Sequence, residues 1–178
     1  MFTSDHGDLL GDRGLMFKGG LHYAALTRVP FIWCDPQRPP AQRRTSALAQ
    51  TIDIAATVLE RAGLAPANGM QGLSLLPVLD GTHEQVRAHL LIEEESQRSD
   101  FGLDRRLRMR TLRNRQHRLT IWDGQPWGEL VDLQQDPLEL RNRWNEPAAL
   151  ALRQGLSEQL ARLMLAAAVG SPYPDAAA

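Results

Sequence analysis

The period of the apolar positions changes twice along this chain. Ile52, Ala55, Leu59 and Ala62 recur at helical spacing, and Gly63 stands where a left-handed residue ends a helix. Asp53 is expected at the N-cap of this helix, a structural role rather than a catalytic one. Before it, Arg28 to Trp33 reads as a buried strand with Pro30 near its start. Met1 to Thr3 reads as the last residues of another strand, and Asp35 to Pro40 breaks the chain with three prolines. Later the spacing becomes that of hairpins. Ala88–Glu94, Arg106–Leu112, Arg118–Trp122 and Glu129–Leu133 are short strand-like runs, and Asp123-Gly124 is a tight-turn signal. From Pro147, a good first-turn residue, Leu152, Leu156, Leu160, Leu163 and Met164 form the apolar stripe of a last helix.

These patterns predict an α/β fold in two layers of organisation. Residues 1–85 are expected to form part of a mixed or parallel sheet with helices, and residues 86–146 a small antiparallel-sheet subdomain. The C-terminal helix follows over 147–169, and the small, proline-containing stretch 170–178 is expected to be a disordered tail.

Composition narrows the chemistry. The chain has 178 residues, 43% of them hydrophobic and 23% charged, an ordinary globular balance. Its formal net charge of -1 gives no global attraction to nucleic acid or to an anionic membrane. Arginines cluster between Arg98 and Arg118, a pattern read as a solvated face. The single cysteine, Cys34, cannot form an internal disulfide. No apolar run reaches the roughly 20 residues of a membrane helix, so no membrane insertion is expected. Localisation and oligomeric state are not legible.

The most informative stretch is Ser4-Asp5-His6-Gly7, directly after a strand. Asp5 offers a hard anionic oxygen and His6 an imidazole, both ordinary ligands of divalent metals. Gly7 allows the sharp turn that points both side chains at one ion. A capping Asp and a surface His are the alternative reading of the pair. The segment from Ser4 to Gly20 contains five glycines, which favours a long loop, and loops of this length are usually functional. Lys18, near its far end, can place a point charge on a tetraoxo anion beside the metal. A solvated lysine is the plainer alternative.

Taken in order, Phe2 to Asp8, Leu10 to Leu15, Lys18-Gly19, Tyr23 and Arg28-Val29-Pro30 closely resemble the sulfatase family. The likeness continues through Gln50 to Thr57, Met70 to Pro77, Gly128 to Leu133, and Asp136-Pro137-Leu138-Glu139 with Asn142. The resemblance implies the C-terminal portion of an alkaline-phosphatase-like fold, in a sulfuric ester hydrolase acting at a divalent cation. It implies Ca²⁺ as the ion, with Mn²⁺ or Zn²⁺ possible on the chemistry of His6. Asp5 and His6 match metal-binding positions, and Lys18 matches the contact to the sulfate group. The substrate is then a small-molecule or sugar sulfate ester. His22 lies near the site in sequence but matches no catalytic histidine.

The family's nucleophile is a cysteine matured to formylglycine within a Cys-x-Pro-Ser-Arg motif. Cys34-Asp35-Pro36-Gln37-Arg38 imitates it. However, Gln37 replaces the small residue, and the segment follows the Arg28-Val29-Pro30 strand instead of preceding Asp5. Cys34 is therefore read as a strand-end residue. The formylglycine and further acidic ligands are expected upstream of these residues, and the chain alone is expected to be inactive. A phosphonate or phosphate monoester hydrolase of the same superfamily, or a non-catalytic remnant, are the alternatives.

Overall fold

A computed structural model of the chain describes residues 1–36, 43–96 and 106–169. The stretch 170–178 and residues Gln37, Arg38, Arg98 and Arg105 lie outside the described residues.

The first part is built from short elements joined by long irregular segments. Strand β1 (Phe2–Thr3) pairs with β2 (Phe31–Ile32), and helix α1 (Ala24–Thr27) lies between them. The pairing is antiparallel, with Thr3 opposite Phe31 and Phe2 opposite Ile32. This corrects two expectations: among the described residues no parallel ladder forms, and the strand from Arg28 to Trp33 contracts to Phe31–Ile32. Nor is it buried, since Phe2 and Ile32 are 61% and 58% exposed. Apolar β propensity records a surface fit to be packed against, and here two strands have only each other.

Helix α2 (Asp53–Arg61) forms where the period predicts it, and Gly63 ends it in the left-handed region at φ 71°. The Gly63 and Leu64 amides return to the Glu60 and Leu59 carbonyls at 3.0 and 2.9 Å, the double closure of a Schellman end. Its buried face differs from the predicted one. Asp53, Ala56 and Thr57 point inward, whereas Ile52 and Ala55 are exposed. Asp53 is not the N-cap: Ile52 holds that position and makes no side-chain capping bond. The Asp53 carboxylate, fully buried, instead accepts from the Gln50 and Leu73 amides, both at 2.8 Å, and from Arg87. The reason is that a carboxylate one residue inside the helix can serve the loop 71–75 as well as the helix start. Helix α3 (Leu76–Leu79) follows, with Leu75, Leu76 and Val78 buried.

The second part is a four-stranded antiparallel sheet in chain order: β3 (Leu90–Glu95), β4 (Arg108–Arg113), β5 (His117–Trp122) and β6 (Gly128–Asp132). Side chains alternate between its faces. One face carries Leu91, Leu112, Leu119, Leu130 and Ile121 and packs beneath helix α4 (Leu150–Val169), whose Leu156 and Leu160 complete the cluster. Leu152 and Leu163 flank it as predicted, but Met164 is 39% exposed. The outer edge of β6 is covered by Asn142, which accepts from Leu130 N at 3.0 Å and donates to Gly128 O at 2.9 Å.

The other face buries a polar group beside the apolar Met109, Trp122 and Val131. Thr111 opposes Thr120, and Arg113 opposes Arg118. Arg118 is fully buried, so the reading of the arginine cluster as a solvated face fails at this residue. Burial works hardest against its charge, but Glu129 and Glu139 together outweigh it and hold the guanidinium above its ordinary range. Arg118 donates to Glu139 through Nε at 2.9 Å and to Glu129 through Nη1 at 2.6 Å. Removing one partner of a buried ion pair leaves the others uncompensated, which costs about 3–5 kcal/mol. Arg118→Met is therefore expected to lower unfolding stability by about that amount in urea titrations followed by tryptophan fluorescence. A loss below about 1 kcal/mol would show that water replaces the guanidinium without penalty.

Candidate anion and metal site

Asp5 and His6 leave β1 on the turn that Gly7 makes possible. A Cβ on Gly7 would lie 1.9 Å from the Ala25 carbonyl oxygen, so only glycine fits against α1. The Gly7 amide donates to the Leu26 carbonyl at 2.8 Å, which fastens the turn to the same helix. The His6 amide donates to Asp5 Oδ1 at 2.9 Å. This bond, aided by the adjacent imidazole, holds the Asp5 carboxyl below the usual carboxylate range.

His6 Nδ1 lies 2.7 Å from the Gly7 carbonyl oxygen. A carbonyl only accepts, so Nδ1 carries the proton and, in the neutral ring, Nε2 presents its lone pair. That lone pair faces Lys18 Nζ at 2.7 Å, and Asp5 Oδ2 lies 3.5 Å from the same nitrogen. Asp5, His6 and Lys18 therefore meet at one exposed point.

Lys18 reaches this point from a strained loop. Leu10, Arg13 and Phe17 all adopt positive φ, at 48°, 58° and 66°. Each non-glycine residue in the left-handed region costs on the order of 1–3 kcal/mol, so surrounding contacts must impose the shape. Those contacts come from the segment before α1, the turn after β6 and the sheet itself. The Arg13 guanidinium stacks 3.8 Å above the Tyr23 ring and donates to Leu138 O at 2.6 Å. Tyr23 donates its hydroxyl to Glu129 at 2.8 Å, and the Ala24 amide donates to Glu139 at 2.6 Å. His22, 5% exposed, sits between Thr111 Oγ1 at 2.9 Å and Glu94 Oε2 at 3.3 Å. Lys18 thus lies between two anchored ends of a single loop. Glu129 and Glu139 stood out in the sequence only within the blocks resembling sulfatases. A charged residue at an inward strand position, as at Glu129, was the available signal for their role.

Cys34 does not join this point. In the β1–β2 register the chain runs from Thr3 toward Asp5 on the side where β2 begins, so Cys34 leaves the ladder at the opposite end. It is exposed, beside an Asp35–Arg61 ion pair. Among the described residues no group of three or more His, Cys, Asp or Glu could hold a metal, and no helix is long and apolar enough to cross a membrane.

Solved structures of alkaline-phosphatase-superfamily hydrolases have this architecture. A phosphonate monoester hydrolase of Agrobacterium radiobacter superposes with a TM-score of 0.81 at 29% identity, over 93% of this chain and 34% of that one. A structure in complex with its substrate D-glucosamine-2-N,6-O-disulfate gives 0.79 at 24% identity, over 93% and 33%. The chain belongs to the family described as N-sulphoglucosamine sulphohydrolase, C-terminal, which matches residues 11–166. It is 29% identical over 149 residues to an arylsulfatase of Clostridium perfringens, covering 82% of this chain and 29% of that protein. The chain thus spans under a third of the length of that curated relative.

Burial and the Glu129 carboxylate push the Tyr23 hydroxyl up to about 12. A raised acid pKa stabilises the fold fully below the unfolded value, about 10. The contribution is lost as pH rises toward the folded value. Unfolding stability is therefore expected to fall between about pH 10 and 12, and to fall less in Tyr23→Phe. Denaturant titrations across that range with both proteins measure the difference; identical slopes would remove Tyr23 as the cause.

Proposed function

We propose that this chain contributes the Asp5, His6 and Lys18 portion of the active site of a sulfuric ester hydrolase. Asp5 and His6 would ligate a divalent cation, and Lys18 would contact the sulfate group of a small-molecule or sugar sulfate ester. The observation that carries the reading is the approach of Lys18 Nζ to His6 Nε2 across the glycine-rich loop. Membership of the sulphohydrolase family and the arylsulfatase relative support the reaction class. The disulfated glucosamine bound by a structural neighbour supports a sugar ester.

The donor chemistry fits a metal in part. His6 donates one ring N–H to a backbone carbonyl and offers the other nitrogen, the usual arrangement behind a metal-bound histidine. The carboxylate oxygens favour Ca²⁺, and the imidazole suits Mn²⁺ or Zn²⁺. Two donors are fewer than the four to eight, roughly, that a divalent ion takes, so other residues must complete the shell. The cation, when bound, supplies charge stabilisation to the ester oxygens.

Lys18 has a definable task. Its ammonium carries a full charge that needs no proton transfer, and the anchored loop spares it reorganisation during the reaction. In exchange for the His6 contact it can donate to a non-bridging sulfate oxygen. A formylglycine nucleophile, expected in an upstream segment, completes the proposal; Cys34 has no part in it. The 29% identical phosphonate monoester hydrolase keeps a second reading open, in which the same residues receive a phosphonate or phosphate monoester.

The test uses an aryl sulfate with added Ca²⁺ or Mn²⁺. The 178-residue chain is expected to show no meaningful turnover. In a longer protein containing it, Lys18→Ala should lower kcat/KM by roughly 10²–10³ and Cys34→Ala should change nothing. Turnover by the chain alone that Cys34→Ala abolishes would overturn the assignment. A preference for phenyl phosphonate over the sulfate would favour the second reading.

A further inference from the structure

A groove of about 220 Å³ lies apart in sequence from Asp5, His6 and Lys18 and is lined by Arg43, Arg44, Thr45, Ser46, Glu84 and Arg115. Three guanidinium groups face it against one carboxylate. None of the three has an ion-pair partner among the described residues, although most arginines of the second sheet do. Unpaired arginines gathered on one concave surface repel one another, and an incoming anion relieves that repulsion.

The cluster stands on defined backbone. Arg115 sits at the tip of the β4–β5 turn, where Asn114 Oδ1 accepts from the Gln116 and His117 amides at 2.8 and 2.6 Å. This Asx turn fixes the backbone around Arg115, whose side chain is exposed. Arg43 lies over Gly81, where a Cβ would come within 1.8 Å of Nη1. The guanidinium therefore occupies space that any other residue at position 81 would claim. Thr45 Oγ1 accepts from the Ala47 amide at 3.1 Å, so its hydroxyl proton is free for an anion.

We propose that Arg43, Arg44 and Arg115, with the Thr45 and Ser46 hydroxyls, form a second anion site that takes a sulfate group of a polysulfated saccharide. Planar guanidinium forks match the paired oxygens of a tetraoxo anion, and hydroxyl donors supply the rest. Naming a sulfated saccharide rests on the sulfate-ester reading above; the anion groove itself stands on the arginines alone.

The isotope-labelled chain is titrated with a tetrasulfated oligosaccharide at low and at physiological salt, and arginine Nε–H and backbone amide shifts are read. Shifts should centre on Arg43, Arg44 and Arg115. The combined variant Arg43→Ala, Arg44→Ala, Arg115→Ala should bind roughly tenfold more weakly, since exposed ion pairs each contribute little. Because all three side chains are exposed, the variant is expected to keep the wild-type amide spectrum. Groove shifts that persist in Lys18→Ala support the second site. Absence of any shift around Asp5, His6 and Lys18 in the unsubstituted chain counts against the sulfate-ester reading and leaves the groove intact. Unchanged affinity in the combined variant overturns the proposal, as does equally tight binding of a single-stranded oligonucleotide of the same charge.

Discussion

Arg113 and Arg118 lie directly opposite each other in the β4–β5 ladder, on the same face, and like charges so placed repel. One carboxylate reconciles them. Glu139 Oε1 accepts from Arg118 Nε at 2.9 Å and Arg113 Nη1 at 3.2 Å, while its other oxygen receives the Ala24 amide. The group that neutralises the sheet is therefore the same group that fixes the start of α1. Without it, Arg113 would lose its carboxylate, Arg118 would keep Glu129 alone, and the loop carrying Lys18 would lose one of its anchors. Glu139 is itself held at a positive φ of 56°, a conformation that β-branched and bulky residues seldom adopt.

Strain in this protein has a location. Among the described residues, the non-glycine positions in the left-handed region are Leu10, Arg13, Phe17 and Glu139. Three are in the loop that delivers Lys18, and the fourth is the carboxylate that secures the loop's exit. Two links to the sheet hold this shape: Tyr23, stacked under Arg13 and bonded to Glu129 of β6, and His22 between Thr111 and Glu94. The apolar face beneath α4 supplies the burial that keeps the sheet intact. The polar face uses that rigidity to orient a cation at the protein surface.

The sequence reveals this division unevenly, for physical reasons. The strands β3–β6 and helix α4 were legible because period-2 and period-3.6 patterns write themselves directly into apolar positions. The approach of Asp5, His6 and Lys18 was legible because glycines mark where the backbone must turn. The inward face of α2 was not. Beside Ala56 its inward positions are polar: Asp53 satisfies the Arg87, Gln50 and Leu73 groups, and Thr57 accepts from the Leu75 amide and donates to the Asp53 carbonyl, which no hydrophobicity pattern can register. The burial of Arg118 was hidden for the same reason: its partners, Glu129 and Glu139, come from a different strand and from a turn after it.

The seat of Gly7 on α1 has a consequence for how this protein can vary. The contact is between the absent side chain of one residue and the main-chain oxygen of another, Ala25. Most packing contacts can drift together, a larger residue on one side being matched by a smaller one on the other. This one has no such partner, because shrinking or exchanging the Ala25 side chain leaves its carbonyl where it was. Position 7 is thus closed to second-site compensation at position 25, and any lineage that changed it would have to move the whole helix, and Tyr23 with it.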